Sequence, residues 1–188
     1  MHTRIRLAAL ASGAAILAAS GMMSASASAT APVPASSTHN RPSARFGIAY
    51  LPANVDLQPT ASGTWVDTGL QVTLPKAGTY ALDLDVRARL QGVPPVNTFM
   101  VGRLWNVDAA TALPNSERIL SQLIDTTATG AGIIAKNTTS PISEYITVTA
   151  PTTIRLQAQR TNASGASTIA AIWSDGAGRT SFRFDRIS

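Results

Sequence analysis

The segment Gly78–Leu90 alternates without a break. Tyr80, Leu82, Leu84, Val86, Ala88 and Leu90 fall on one parity, and Ala81, Asp83, Asp85, Arg87 and Arg89 on the other. A period of two puts the first set on one face of a β-strand and the second on the opposite face. One apolar and one charged face is the pattern of an antiparallel sheet with a core on one side and water on the other. The same alternation recurs at Thr153–Arg160, where Ile154, Leu156 and Ala158 point inward and Arg155, Gln157 and Gln159 outward. It recurs again at Thr180–Ile187, where Phe182 and Phe184 oppose Arg183 and Asp185.

Weaker apolar runs predict further strands at Phe46–Leu51, Gly63–Pro75, Thr98–Val107, Ser143–Thr149 and Ser167–Trp173. Thr98–Val107 centres on Phe99, Val101, Leu104 and Trp105, whose parity breaks near Gly102 and predicts a bulge there. Ser116–Thr126 carries Ile119, Leu120, Leu123 and Ile124, a spacing that fits either a strand or a short helix capped by Ser116. Its neighbours favour the strand. Ile133–Ala135 reads as part of a strand. The turn signal Pro75–Gly78 predicts a hairpin between the flanking strands, and Gln91–Asn97, Asp108–Asn115, Thr127–Gly132 and Thr161–Gly165 read as loops. Asp175–Gly178 reads as a tight hairpin turn, because Asp-Gly supplies the positive φ such turns need. Roughly eight to ten strands punctuated in this way predict an all-β fold, an antiparallel β-sandwich of jelly-roll type.

Composition divides the chain into three. Residues 1–29 have a short basic start (His2, Arg4, Arg6), an apolar run from Leu7 to Ala19 and overlapping Ala-x-Ala sites at 25–31. This is the layout of a secretory signal peptide, and the run is too short for a spanning helix of about 20 residues. The expectation is a secreted, extracellular protein with no membrane span in its mature form. Residues 30–45 are rich in Pro, Ser, Thr and Ala and read as a flexible linker. Residues 46–188 read as the sandwich domain. The chain has no cysteine, so its core must hold without disulfides or thiolate metal sites.

The formal net charge of +5 shrinks once Arg4, Arg6, Arg41 and Arg45 are set aside, leaving eleven basic against ten acidic residues. The remaining arginines alternate with acids and glutamines instead of clustering, which argues against a nucleic-acid partner. Serine–histidine catalysis and imidazole-ligated metals need a placed histidine, and past residue 29 only His39 is left, in the linker. No catalytic, cofactor or metal site is expected. The surviving catalytic alternative is a carboxylate-dependent glycan hydrolase using Asp83 and Asp85, which point the same way about 7 Å apart. Their run with Arg87 and Arg89 reads more simply as a salt-bridged solvent stripe. Asn137 and Asn162 begin glycosylation-type triplets and read as surface-loop residues.

Tyr80 belongs to the core parity. Trp65, Trp105 and Trp173 also read as core. Exposed together with Arg103, they would instead form a ligand or interface contact, since indoles stack on sugars and on partner surfaces.

Three segments resemble the C1q/tumour-necrosis-factor-like jelly-roll family in its divergent bacterial and phage form. These are Pro75–Tyr80 leading into the alternating strand, Val148–Ala158, and Gly178–Phe182 near the C-terminus. The resemblance spans Trp65–Ile187. It implies a homotrimer packed through aromatic and aliphatic faces, and it transfers no binding residue. Together these features predict a non-catalytic recognition or adhesion module whose partner is a glycan or a cell-surface protein.

Overall fold

The computed structural model describes residues 44–127 and 132–188; the leader and most of the linker lie outside these. The strands are β1 (Phe46–Tyr50), β2 (Val55–Asp56), β3 (Val66–Leu74), β4 (Gly78–Gly92), β5 (Val96–Asn106), β6 (Thr111–Ala112), β7 (Arg118–Asp125), β8 (Ile134–Val148), β9 (Thr152–Ser164), β10 (Ser167–Ile172) and β11 (Ser181–Arg186). They form two antiparallel sheets. In the first, β4 pairs with β8 along one edge. Along its other edge β4 takes β11 beside Tyr80–Asp85 and β10 beside Ala88–Gly92, with β1 outside β11 and β2 outside β10. In the second, the order is β3-β9-β5, and β7 and β6 line the far edge of β5.

The chain changes sheet between β2 and β3, β3 and β4, β4 and β5, β7 and β8, β8 and β9, and β9 and β10. This repeated crossing is a jelly roll. It corrects the expected β3–β4 hairpin: β3 pairs with β9 and β4 with β8, so the Pro75–Ala77 turn carries the chain over the core. Two strands that each bury one face can lie side by side or face to face, and their alternation is the same in both arrangements. The Asp175–Gly178 turn likewise joins no paired strands. It closes on itself, Asp175 N–H to Gly178 O at 2.9 Å, as an excursion between β10 and β11.

The predicted core parity of β4 holds: Tyr80, Leu82, Leu84, Val86, Ala88 and Leu90 are all buried. They meet Leu104, Ile154, Leu156 and Ala158 from the second sheet, and Phe182 and Phe184 flank them on β11. The 116–126 segment is strand β7. The bulge sits in β7 and not in β5. Met100 faces Ser121 while Val101 faces Ile119, so Leu120 has no partner across the ladder. Its carbonyl instead accepts the Thr138 and Ser140 hydroxyls of β8, at 2.8 and 2.7 Å, which ties the two sheets at this edge. β5 itself alternates evenly, with Val96, Thr98, Met100, Gly102 and Leu104 inside. A Cβ at Gly102 would lie 2.9 Å from Leu120 Cδ1, so a larger residue there would have to push the Leu120 side chain aside.

Several predicted loops are shorter than expected. β4 reaches Gly92 and β5 starts at Val96, while β9 runs through Thr161 to Ser164 opposite Asn97–Phe99. β8 spans Ile134–Val148, twice the predicted strand. Pro141 is tolerated in it because β8 is an edge strand with one unpaired side. Asn137 and Asn162 therefore lie in strands β8 and β9, not in loops.

Candidate functional site

The outer face of the second sheet is organised in rows fixed by strand register. Gln71, Arg155 and Trp105 share one row across β3, β9 and β5, and Asp67, Gln157 and Arg103 share the next. Trp65, just before β3, reaches over the same face. The Arg103 guanidinium lies 3.9 Å from the centre of the Trp65 ring and 5.0 Å from that of Trp105. The two indoles are therefore no farther apart than the sum of those distances. A guanidinium over an aromatic face is held by the ring quadrupole, so each indole is fixed by the same cation.

Arg103 is in turn fixed by its neighbours. Its Nε donates to Gln157 Oε1 at 2.9 Å, and Nη1 lies 3.7 Å from Glu117 Oε1. Gln157 Nε2 donates to Asp67 Oδ1 at 2.8 Å, Arg155 Nη1 to Asp67 Oδ2 at 2.7 Å, and Arg155 Nε and Nη2 to Gln71 Oε1 at 3.0 and 2.9 Å. A single chain of planar groups thus runs Gln71–Arg155–Asp67–Gln157–Arg103 and ends between two tryptophans. Beside it, Asp108 Oδ2 accepts the Thr153 backbone N–H at 2.7 Å.

Placing the three tryptophans in the core is corrected here. Trp65, Trp105 and Trp173 are all half-buried. Phe99 and Val101 are half-buried too, on the outer face with Arg103, since the inner positions of β5 belong to the even-numbered residues. Three of the four candidate contact residues, Trp65, Arg103 and Trp105, converge. Trp173 does not join them. It follows β10 in the first sheet, with Arg89 lying 4.6 Å from its ring centre.

The charged stripe of β4 is on the outer face of the first sheet. Asp83 Oδ1 accepts the Ser143 hydroxyl at 2.8 Å, and Asp85 lies 3.7 Å from Arg183. Arg87 donates to Asp175 Oδ1 at 2.8 Å and to the Gly178 carbonyl. Asp83, Asp85 and Arg87 thus each have a local polar partner, as on a solvated salt-bridged face, while Arg89 packs over Trp173 with its Nε buried and unpartnered. The same face carries apolar groups at its two sides. Phe46 (76% exposed), Ile48 and Tyr50 project from β1, and Tyr145 (75% exposed) projects from β8. An open groove of about 450 Å³ lies between Phe46, Ile48, Asp83, Arg183 and Asp185.

The hydrogen bond from Arg87, reinforced by the Ala177 N–H, holds the Asp175 carboxyl below its ordinary pKa. A folded-state value below the unfolded one gives stability that is present above the unfolded pKa and lost as pH falls through the folded one. The 175–178 turn is therefore expected to hold from neutral pH into mild acid and to loosen below about pH 4. Asp175→Asn should remove that acid limb. Amide exchange at Gly176–Gly178 measured against pH checks this, and identical acid profiles for the two proteins would contradict it.

No family model and no curated protein matches the chain. Among solved structures it is similar to the VP2 subviral particle of infectious bursal disease virus, with 10% identity and a TM-score of 0.43 over 74% of this chain and 32% of that one. The chain thus spans about a third of that capsid protein. It is also similar to the carbohydrate-binding module CBM6cm-2 from Cellvibrio mixtus lichenase 5A in complex with cellotriose, with 12% identity and a TM-score of 0.29 over 77% of this chain and 88% of that one.

Proposed function

We propose that this chain is an exported, non-catalytic recognition module of the C1q/tumour-necrosis-factor-like jelly-roll lineage. It uses one sheet to bind a polymer or cell-surface partner and the other to assemble. The observation that carries the reading is the Trp65–Arg103–Trp105 stack. Two indoles held by one cation on an open sheet form a rigid, amphipathic platform, ordered before any partner arrives. The lineage rests on the quoted sequence segments, and the crossing order of the strands supports the jelly-roll fold. The local partners of Asp83 and Asp85 support a solvated face over a catalytic carboxylate pair.

The assembly is a homotrimer, as the resemblance implies. A three-fold ring buries one patch of each subunit against a different patch of the next. The exposed Phe46, Ile48, Tyr50 and Tyr145 on the outer face of the first sheet supply the apolar contacts such a ring needs. Light scattering after size exclusion should give the mass of three copies, and Ile48→Asp with Tyr145→Asp should give one. A wild-type monomer at every concentration would end the assembly half of the proposal.

The recognition half is tested separately, by binding of labelled protein to envelope material of the exporting cell. Wild type is expected to bind and Trp65→Ala/Trp105→Ala to be lost to solution. Equal binding of the two would overturn it.

A further inference from the structure

We infer that the partner taken by the Trp65–Trp105 face is an uncharged polysaccharide, a specification that rests on the recognition reading above. Charge points there first. Arg155 is matched by Asp67, Arg103 by Glu117, and Asp108 adds a further carboxylate beside Thr153. Among the described residues the face has no surplus cation for an acidic polymer, and its two guanidiniums are already committed to neighbours. An anionic chain would have to displace those bonds and would meet three carboxylates.

The polar groups that are present suit hydroxyls. Gln71 and Gln157 each spend their amide oxygen on an arginine, Gln71 on Arg155 and Gln157 on Arg103. With Gln157 Nε2 donating to Asp67, this leaves chiefly the Gln71 amide N–H donors exposed on the face, and the carboxylates offer acceptor lone pairs. Sugar hydroxyls both donate and accept, so they match a mixed row of this kind where a phosphate or carboxylate would not. The indoles supply the apolar half of the contact. A pyranose presents a C–H face that packs flat on an aromatic ring, and this sheet face holds two such rings around one guanidinium. The open sheet surface favours the side of a polymer over an enclosed small sugar.

The test measures retention of the whole chain on immobilised cellulose, arabinoxylan and mannan, and on alginate and polygalacturonate, at low salt and at about 1 M salt. At least one neutral polymer should retain the protein equally at both salts. Trp65→Ala/Trp105→Ala should weaken that retention by about tenfold or more, Trp105→Phe should keep most of it, and Arg103→Lys should fall between. Circular dichroism on each variant confirms that the fold is intact, and the Trp105→Phe arm guards against misreading a packing defect. Retention only on alginate or polygalacturonate, abolished by salt, would overturn the inference in favour of a charged ligand. No retention on any polymer, with envelope binding still dependent on the tryptophans, would overturn it in favour of a protein partner and leave the recognition reading standing. Envelope binding that ignores the tryptophans would sink both.

Discussion

Arg160→Met is expected to destabilise the protein by about 3 kcal/mol, because it strands several carbonyls at once. Arg160 is only 8% exposed and sits on the inward parity of β9, in line with Ile154, Leu156 and Ala158. Its Nε donates to Leu57 O at 3.0 Å, and Nη2 donates to Gln58 O at 3.1 Å and Thr60 O at 2.6 Å. The backbone returns the contact, Gly63 N–H bonding Arg160 O at 2.8 Å. One guanidinium therefore folds the 57–63 segment against the end of the sandwich, with Leu57 fully buried beneath it. Methionine fills a similar volume and supplies no donor. Lysine keeps the charge but not the planar fork, so Arg160→Lys should lose less than methionine does. Urea denaturation should show a lower midpoint at unchanged slope. Because this segment leads directly into Trp65, the methionine variant should also bind envelope material more weakly. A midpoint equal to wild type would show that the carbonyls rehydrate at no cost.

Phe182→Ala is expected to have a comparable or larger effect, about 3–5 kcal/mol. Phe182 is fully buried on β11 and lies in register with Leu84 of the central strand and Ala49 of β1. Removing its ring leaves a cavity bordered by strands that are themselves held in ladders, so little collapse can fill it. Phe184, two residues on, stacks edge-to-face with Tyr80 at 5.8 Å and passes over Gly47, where a Cβ would collide with its ring. The β1–β11–β4 layer is thus packed by two phenylalanines from one strand. Its loss should be read by the urea midpoint, and a change below about 1 kcal/mol would mean the layer relaxes far more than its packing implies. The same variant should also weaken assembly, since β1 carries Phe46, Ile48 and Tyr50.

How far the sequence announces this molecule depends on what each residue can encode alone. Period-two alternation is a local property, so the buried rows of β4, β9 and β11 are readable from their residues. Pairing is not local: nothing in β3 or β4 distinguishes a hairpin from a crossing, because both arrangements bury the same parity. The tryptophans show a second limit. In β5 the inner positions include Thr98 and Gly102, which carry little hydrophobic signal, while the outer positions include Phe99, Val101 and Trp105. Apolar content therefore points to the wrong parity, and only the neighbours that fill the space above Gly102, Leu120 and Ile142, reveal why glycine is inside.

Arg160 is the opposite case. Its parity with Ile154, Leu156 and Ala158 marks the position for burial, against the usual exposure of charged side chains. The convergence of Trp65 with Arg103 and Trp105 was beyond sequence reasoning, since Trp65 precedes β3 and reaches the site across an irregular register between Asp67 and Gln71.

The central claim is that recognition belongs to the outer face of the second sheet, and the three indole N–H resonances test it directly. Trp65 and Trp105 lie on that face and Trp173 on the other sheet, so the protein carries its own control. On titration with a retained polysaccharide or with solubilised envelope material, the account predicts that the Trp65 and Trp105 signals move together and saturate while Trp173 stays in place. Movement of Trp173 alone, or saturable binding that leaves all three unmoved, would contradict it.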